Sequence, residues 1–391
     1  MSISNKNDYH QNNGVKVGKN TEIRGHVYHT PTTKNDALSE ITGTDLWLKH
    51  EYKQFTGSFK ERGARNALEK LTGNHALALS YHGGLMGIPV TVIMPTIAPL
   101  TKIERCKKLG ARVVLHGMHI GEVGNEMIDT FHGADFLFDD PPICAGAGTI
   151  GLEILEQVPD VDVIVVPVGG AGLIAGIAMA VKTLRPEVQI IGVEPEKAAS
   201  YTKALEVGEP TPVTITNTLA DGLAVPTVGP HSFAVARHFV DKTVLINEKL
   251  VALAVLRLLE HERAVVEGGG AAGLAALLPG GPLDVPQMKG KKVVVPLCGG
   301  NIDITMLGRV IERGLAADRR LVRFAATVSD RPGGLAALTQ IIFSAGASVW
   351  DIAHERAWLH TSVDQVVNKV VVEVSGHEHE MRLKATLEKA G

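Results

Sequence analysis

Short runs of β-branched residues alternate with stretches of helical character from about Ile23 to Ala316. Within the runs, apolar residues follow one another without polar alternation, which is typical of parallel strands covered by helices on both faces. The pattern predicts an α/β fold with two open lobes. Five runs show it: VTVIMP (90–95), RVVLH (112–116), VDVIVVPV (161–168), VQIIGVEP (188–195) and KKVVVPLCGG (291–300).

Two of these runs lead directly into glycine turns, in PVGGAGLIAGIA (167–178) and PLCGGNID (296–303). Open α/β sheets bind ligands at the carboxyl ends of their strands, so we expect the functional site at these turns. Residues 163–181 have no charged side chain, but Pro167 and the glycines within the segment would break a membrane-spanning helix. The segment therefore predicts a buried strand, a glycine turn and a buried helix, and no association with a membrane.

The sequence changes character near Asp318, where the charge-rich joint ADRRLVR precedes a strand, a Pro-Gly-Gly turn, an amphipathic helix and another strand. A third strand (QVVNKVVVEV) and a closing helix follow, a pattern typical of a small α+β domain. We therefore expect three segments: a polar tail over 1–20, an α/β domain over 21–317 with a smaller lobe at about 62–140, and an α+β domain over 318–391.

Composition narrows the class of function. The 39 basic and 42 acidic residues leave a net charge of −3, which excludes a general nucleic-acid binder. Glycine is frequent, at 42 residues, while aromatic residues are only 4%, which favours tight turns around a ligand. Cys106, Cys144 and Cys298 are widely spaced without a CxxC pair, and the N-terminus lacks a secretory signal. We expect reduced thiols and a cytoplasmic protein.

Lys60 lies in TGSFKERGA, a turn that leads into a predicted helix. Lysine forms Schiff bases with carbonyl cofactors, but taken alone Lys60 is better explained as one of 39 basic residues on a solvated face. Three other features change that interpretation. The glycine turn of PVGGAGLIAGIA is a generic anion cradle. Asn74 in GNH is a helix cap or a ligand contact, and Cys298 is a structural thiol or a weak, neutral hydrogen-bonding group.

The same glycine turn leaves a dinucleotide enzyme as an alternative. Glu194 closes the next strand, roughly where a ribose-binding acid would lie. The glycines are spaced GxGxxxG instead of GxGxxG, which argues against this alternative. The histidines of HGMH (116–119) and HEHE (377–380) lack the spacing of a helical metal site, so we predict no bound metal.

An ordered set of motifs resembles the fold type II pyridoxal-phosphate enzymes, most closely the threonine/serine dehydratase (ammonia-lyase) branch, which includes serine racemase. The resemblance runs from about Ile23 to Leu315. Its motifs are SFKERGA, GNHALALSYH, AGTIGLEI, PVGGAGLI, GVEPEKAAS, LADGLAV, VVEGGGAAGLAAL and PLCGGNID. Residues 318–391, with VSDRPGGLAAL, resemble an ACT domain, a module that often binds amino-acid effectors.

The resemblance implies a role for each candidate residue. Lys60 would bind pyridoxal 5′-phosphate covalently, with Phe59 packed against its ring. Asn74 would contact the ring hydroxyl and Cys298 the pyridine nitrogen, where a neutral thiol favours elimination over transamination. The implied activity is deamination of L-threonine to 2-oxobutyrate and of L-serine to pyruvate, by a homo-oligomer. The phosphate would be held by the backbone of Gly169, Gly170, Ala171, Gly172 and Leu173.

Three departures from the family pattern bear on that activity. A strand that the family has before the GNH motif is missing between Lys60 and Gly73. Ala171 replaces a family glycine, which is tolerated without strain only at negative φ. Thr72 stands where a racemase needs a second base, and its weak basicity favours a lyase. The alternatives left open are a catalytically impaired homologue that binds the cofactor or amino acids, and a serine racemase.

Overall fold

A computed structural model describes residues 9–12, 15–18, 27–69, 76–94, 96, 98, 100–115, 117, 139–356 and 362–390 of the chain. The chain divides into two compact units, residues 1–303 and 304–391. The sequence places the joint of its two domains near Asp318, and those functional boundaries stay a prediction. Among the described residues, no helix is both long enough and apolar enough to cross a membrane.

The strands of the first unit form three separate sheets within the described residues. Strands β1 and β2 pair antiparallel inside the segment that the sequence predicts as a polar tail, and β5 pairs parallel with β6. The remaining six form one sheet in the order β3-β4-β10-β7-β8-β9. The strands are β1 (Tyr9–Asn12), β2 (Val15–Gly18), β3 (Thr32–Lys34), β4 (Asp45–Lys49), β5 (Thr91–Met94), β6 (Arg112–Leu115), β7 (Val163–Pro167), β8 (Gln189–Pro195), β9 (Lys242–Ile246) and β10 (Lys292–Pro296).

The six-stranded sheet is parallel except for β3, which runs antiparallel to β4 at one edge. Every residue of the central strand β7 is buried, and β10 beside it is buried from its second residue onward. Such strands lose contact with water on both faces, so unbroken Val/Ile runs are stable there. The α/β fold that the sequence predicts is confirmed.

Helices cover both faces of this sheet. On one face, Ile164 and Val166 pack in a core cluster with residues of α5 and α6. On the other face α10 approaches closely, since a Cβ added at Gly273 would lie 3.0 Å from the Val165 carbonyl oxygen. The helices of the unit are α1 (Asp36–Thr42), α2 (Lys60–Glu69), α3 (Ala76–Met86), α4 (Leu100–Lys108), α5 (Pro141–Gln157), α6 (Gly172–Leu184), α7 (Ser200–Val207), α8 (Pro230–Phe239), α9 (Glu248–Arg257) and α10 (Gly268–Leu277).

Local sequence signals set several helix ends. The side chain of Asn35 accepts a 2.9 Å hydrogen bond from the Leu38 backbone N–H and so caps the start of α1. Gly43 ends that helix in the left-handed conformation, at φ 68°, which glycine adopts without steric cost. Asn247 caps α9 in the same manner as Asn35 caps α1.

Strands β5 and β6 lie in the segment that the sequence predicts as a smaller lobe, and they form a two-stranded sheet. Val92, Met94, Ile103 and Cys106 form its core between this sheet and α4. Helix α2 is followed directly by α3 among the described residues, with residues 70–75 outside them. No strand between α2 and α3 is described, so the shortened segment that the sequence indicates remains a prediction for those six positions.

The second unit is a three-stranded antiparallel sheet with helices packed against it. The strand order is β11-β13-β12, with β13 paired on both sides. Leu338 and Ile342 of one helix and Leu383 of another pack on Val370 and Val372 of the central strand. The elements are α11 (Ile304–Ala317), β11 (Leu321–Ser329), α12 (Gly334–Ser344), β12 (Ser348–Glu355), β13 (Gln365–Glu373) and α13 (His377–Ala390).

Candidate active site

The turn before α2 is joined by hydrogen bonds to the segment that follows β10. The Phe59 N–H donates to the Cys298 carbonyl at 2.9 Å, and the Gly300 N–H donates to the Gly57 carbonyl at 2.9 Å. Ser58 and Gly299 form an antiparallel bridge between these two bonds. Lys60 is the first residue of α2, so this short ladder holds the start of its helix beside the carboxyl end of a central strand.

Cys298 is buried and keeps its proton. Its thiol donates to the Pro296 carbonyl at 3.3 Å. Burial raises the pKa of Cys298 well above its ordinary value, the Glu51 and Glu267 carboxylates raise it further, and the Lys60 ammonium opposes them. The neutral thiol that the sequence suggests at this position is therefore supported. The thiol hydrogen would have to turn away from Pro296 to reach a ligand.

Glu267 is a charged group of the site that the sequence reasoning did not single out. It directly precedes α10, and its N–H donates to the Gly299 carbonyl at 3.0 Å. A Cβ added at Gly299 would lie 2.5 Å from the Glu267 Oε1, so only glycine leaves room for that carboxylate. Burial raises the pKa of Glu267, while the nearby Lys60 ammonium lowers it. The one feature of the sequence that could have indicated Glu267 as a site residue is its position directly before three glycines.

The predicted phosphate loop connects β7 to α6. Gly169 and Gly170 are partly exposed in this turn, whereas Gly172 and Leu173 begin the helix, where the first backbone N–H groups have no partner inside the helix. The Gly170 carbonyl accepts a 3.2 Å hydrogen bond from the Gly229 N–H, which fixes the loop against the start of α8. The turn thus offers backbone donors at a helix N-terminus, the arrangement that favours an anion.

Ala171 does not meet the condition for strain-free replacement of glycine. Its φ is 70° and its ψ is −6°, in the left-handed region. A Cβ in that region crowds the following carbonyl at a cost of about 1–2 kcal/mol. The condition under which alanine replaces glycine without strain is therefore not met, and the loop holds the left-handed conformation despite this cost.

Phe59 and Asn74 are the two remaining residues that the sequence predicts to contact the cofactor. Phe59, in the turn that contains Lys60, packs against the core cluster to which Ala171, Leu173 and Cys298 belong. Asn74 lies outside the described residues, as do Thr72 and Gly73. The structure thus brings Lys60, Phe59, Cys298 and the loop to one edge of the sheet and leaves the role of Asn74 a prediction.

Glu194 has a structural explanation. Its Oε1 accepts from the Tyr201 N–H at 2.7 Å, and its Oε2 accepts from the Thr202 N–H at 2.8 Å and the Thr202 hydroxyl at 2.6 Å. Both oxygens therefore cap the start of α7, and neither is free for a ribose or a cation. Among the residues that the structure describes, no group of three His, Cys, Asp or Glu side chains is arranged to hold a metal ion.

Comparison with known proteins identifies the family. The chain matches the family described as "Pyridoxal-phosphate dependent enzyme" over residues 23–299. It is 42% identical over 360 residues to the L-threonine ammonia-lyase of Thermotoga maritima, with 88% of each chain covered. It is 39% identical over 386 residues to the L-threonine ammonia-lyase of Geobacter sulfurreducens, covering 94% of this chain and 95% of that one.

A solved structure agrees with these relatives. The processed form of threonine deaminase isoform 2 from Solanum lycopersicum superposes with a TM-score of 0.68 at 32% identity, covering 73% of this chain and 88% of that chain. This chain belongs to the family of pyridoxal-phosphate-dependent enzymes.

Proposed function

We propose that this protein is a pyridoxal-phosphate-dependent ammonia-lyase that converts L-threonine to 2-oxobutyrate and L-serine to pyruvate, releasing ammonia in both cases. The names of the relatives from Thermotoga maritima and Geobacter sulfurreducens support the substrate class. The observation that argues most strongly for the chemistry is the hydrogen-bonded ladder that holds Lys60 beside Cys298, with Glu267 on the same side.

The residues present fit pyridoxal phosphate. Lys60 is exposed at the first position of its helix, so its amine is accessible to an aldehyde. The turn from Gly169 to Leu173 offers backbone N–H donors for a phosphate. Cys298 offers a neutral thiol for a pyridine nitrogen, and the glycine at position 299 leaves the space beside it to the Glu267 carboxylate. The cofactor would be held by these groups, with Asn74 as the further contact that the resemblance implies.

Lys60 is the group that binds the cofactor and then moves the proton. Lysine amines form Schiff bases with carbonyl groups, which is how Lys60 would hold pyridoxal phosphate. The bound cofactor supplies an electron sink for the electron pair left on Cα when its proton is removed. With the substrate in place, the Lys60 amine would take the Cα proton as general base.

Neighbouring side chains favour elimination after that proton transfer. The Cys298 thiol is neutral and adds no negative charge that would hold a proton on the ring nitrogen. Glu267 provides a negative charge close to Lys60 at the point where protons are exchanged. The β-hydroxyl leaves with a proton as water, and the released enamine takes up water again to give the 2-oxo acid and ammonia.

A product assay tests this proposal. The purified protein is incubated with pyridoxal phosphate and either L-threonine or L-serine, and the 2-oxo acid, ammonia and D-serine are quantified. We expect equal amounts of 2-oxobutyrate and ammonia from L-threonine, and no product from the Lys60→Ala variant. Cofactor binding without product would indicate an impaired homologue, and D-serine without pyruvate would indicate a racemase. Either result would contradict the proposal.

We further infer that the second unit is an ACT-like regulatory domain that binds an amino-acid effector. The antiparallel sheet of β11, β13 and β12, with helices packed on it, supports this proposal. The VSDRPGGLAAL segment that carries the resemblance spans the end of β11 and the start of α12. Steady-state assays of L-threonine deamination with single added L-amino acids test it, and rates that no amino acid alters would contradict it.

Two properties of the assembled protein remain part of the proposal. Cys106, Cys144 and Cys298, all within the described residues, form no disulfide, which supports a reducing compartment such as the cytoplasm. We expect a homo-oligomer, as the resemblance implies. Sedimentation of the purified protein tests the second expectation, and a monomer at assay concentration would contradict it.

A further inference from the structure

Four charged side chains are buried together beneath the turn that contains Lys60. They are Lys49, Glu51, Arg62 and Glu153, each less than a tenth exposed. Two are cationic and two anionic, so their charges cancel. Burying charges is costly, and apolar residues of similar size often stabilise a protein as much or more. The cluster therefore calls for an explanation other than stability.

Arg62 is the centre of the cluster. Its Nε donates to Glu51 Oε2 at 2.7 Å and its Nη2 to Glu51 Oε1 at 2.8 Å. Its Nη1 donates to Glu153 Oε1 at 2.5 Å and its Nη2 to Glu153 Oε2 at 2.8 Å. The planar guanidinium thus meets one carboxylate from α5 and another from the segment after β4, with all three nitrogens engaged. This geometry fixes the orientation of the guanidinium relative to both carboxylates, in addition to pairing their charges.

The carboxylates of the cluster belong to segments that border the active site. Glu51 begins a short 3-10 helix directly after β4, and the next residue, Tyr52, donates its N–H to the Leu297 carbonyl at 2.9 Å. The Leu297 N–H in turn donates to the Lys49 carbonyl at 2.8 Å. The chain that leads into Cys298 is therefore held by Lys49 and Tyr52, which lie within two residues of Glu51, the partner of Arg62.

Helix α2 also lies unusually close to α5. A Cβ added at Gly146 would overlap the Arg62 carbonyl oxygen, and a Cβ at Gly63 would lie 2.9 Å from Ile143 Cγ2. This contact sets the distance between the two helices. The fork from Arg62 to Glu51 and Glu153 adds a directional constraint, because it joins the first turn of α2 both to α5 and to the segment after β4.

We propose that Arg62 is a positioning residue of the active site, which through Glu51 and Glu153 fixes the first turn of α2 so that Lys60 keeps its place relative to Cys298. The inference rests on the proposed function, because it concerns the binding of pyridoxal phosphate to Lys60. Arg62 touches neither the cofactor nor the substrate in this account. It acts through the backbone two residues away from the reactive lysine.

Two substitutions that conserve charge test the role. Arg62→Lys keeps the positive charge but loses the fork, and Glu153→Asp keeps the negative charge but shortens the carboxylate by one methylene. The control is Gln157→Met, at a residue that accepts a 3.2 Å hydrogen bond from Lys49 Nζ and donates to the Thr30 carbonyl at 3.0 Å. The control weakens the edge of the cluster without changing its charge or any contact of Arg62.

The main readout is the pH midpoint at which the absorbance of the lysine-bound cofactor changes, measured in the holoenzyme without substrate. A partly unfolded sample changes the amplitude of this titration but leaves its midpoint in place. We expect Arg62→Lys and Glu153→Asp to shift the midpoint by at least about 0.5 pH unit. We also expect kcat per bound cofactor to fall roughly 10- to 100-fold, as misplacement of a reactive group does. Gln157→Met should change neither value.

The outcomes separate this inference from the proposed function. If the unmodified protein attaches no cofactor to Lys60, the proposed function and the inference both fail. If attachment occurs normally and the two test variants retain the midpoint and kcat of the unmodified protein, the inference alone is overturned. A Gln157→Met midpoint that shifts as far as the others would also overturn it, because general stability would then explain the effect. Should Arg62→Lys not fold, Glu153→Asp decides.

Discussion

The backbone N–H of Phe59 donates a 2.9 Å hydrogen bond to the carbonyl oxygen of Cys298. These residues are far apart in sequence: Phe59 directly precedes Lys60, and Cys298 lies two residues beyond the end of the central strand β10. The bond therefore fixes Lys60 relative to the carboxyl edge of the sheet, where open α/β sheets bind ligands. This connection supports the proposed role of Lys60, which stays a prediction.

Relief of strain at Ala171 is a direct test of the glycine loop. We expect Ala171→Gly to raise the free energy of unfolding by up to about 1 kcal/mol, because glycine adopts φ 70° without crowding but also gains freedom in the unfolded chain. The control Ala175→Gly, four residues later inside α6, should lower it by about 1 kcal/mol. Urea unfolding followed by circular dichroism measures both, and equal effects would contradict the assigned conformation.

Loss of the Glu267 charge should impair turnover more than folding. Burial raises the pKa of Glu267 above its ordinary value of 4.5, so the unmodified enzyme should lose activity on acidification as this carboxylate takes up a proton. In Glu267→Gln we expect kcat at neutral pH to fall at least about tenfold and that acidic limb to disappear. The pH profile of kcat checks this against Glu206→Gln, at an exposed position. An unchanged profile would remove Glu267 from the site.

His50 predicts how stability depends on pH. Burial lowers the pKa of His50 from 6.5 to about 4, with further lowering by Lys53 and Lys49. Between these values the unfolded chain binds a proton that the folded chain does not, so stability is complete above pH 6.5 and is lost as the pH falls towards 4. This group accounts for at most about 3 kcal/mol of that loss.

The test of this prediction is His50→Asn, which should flatten the dependence of the unfolding free energy on pH between 6.5 and 4. His238→Asn, at an exposed position, serves as the control and should leave the dependence in place. If both variants destabilise on acidification as steeply as the unmodified protein, the neutral state assigned to His50 is wrong.

The contact between α2 and α5 depends on the absence of a side chain at Gly146. A Cβ there would overlap the Arg62 carbonyl oxygen, so Gly146→Ala should force the helices apart and lower the unfolding free energy by about 1–3 kcal/mol. Gly308→Ala, in α11, meets no atom within 4 Å and should be neutral or stabilising by up to about 1 kcal/mol. Denaturant unfolding compares the two, and a Gly146→Ala variant as stable as Gly308→Ala would contradict the close packing.

Sequence patterns predicted the parts of the fold that depend on neighbouring residues. Unbroken apolar runs marked β7, β8 and β10, because strands buried on both faces need no polar alternation. Glycines marked the turn after β7 and the segment that follows Cys298, where backbone must approach backbone. The same local logic was insufficient at Ala171, because the surrounding loop, and not the residue type, sets its φ.

Local sequence patterns do not predict contacts between distant parts of the chain. Arg62 and Glu153 are 91 positions apart, and no periodicity links the two residues. Glu267 belonged to a motif that resembled the family, but its closeness to Lys60 follows from the folding of α10 against β10. Glu153 contacts Arg62, whereas Glu267 lies near Lys60, and only the folded structure brings these pairs together.

We propose that Lys60 carries the cofactor. Borohydride reduction of the protein loaded with pyridoxal phosphate, followed by proteolysis and mass spectrometry of the labelled peptides, tests this attachment. We expect one reduced pyridoxyl group on the peptide that contains Lys60, and loss of this group when L-threonine is added before reduction. A label on another lysine, or no label on Lys60 at saturating cofactor, would contradict it.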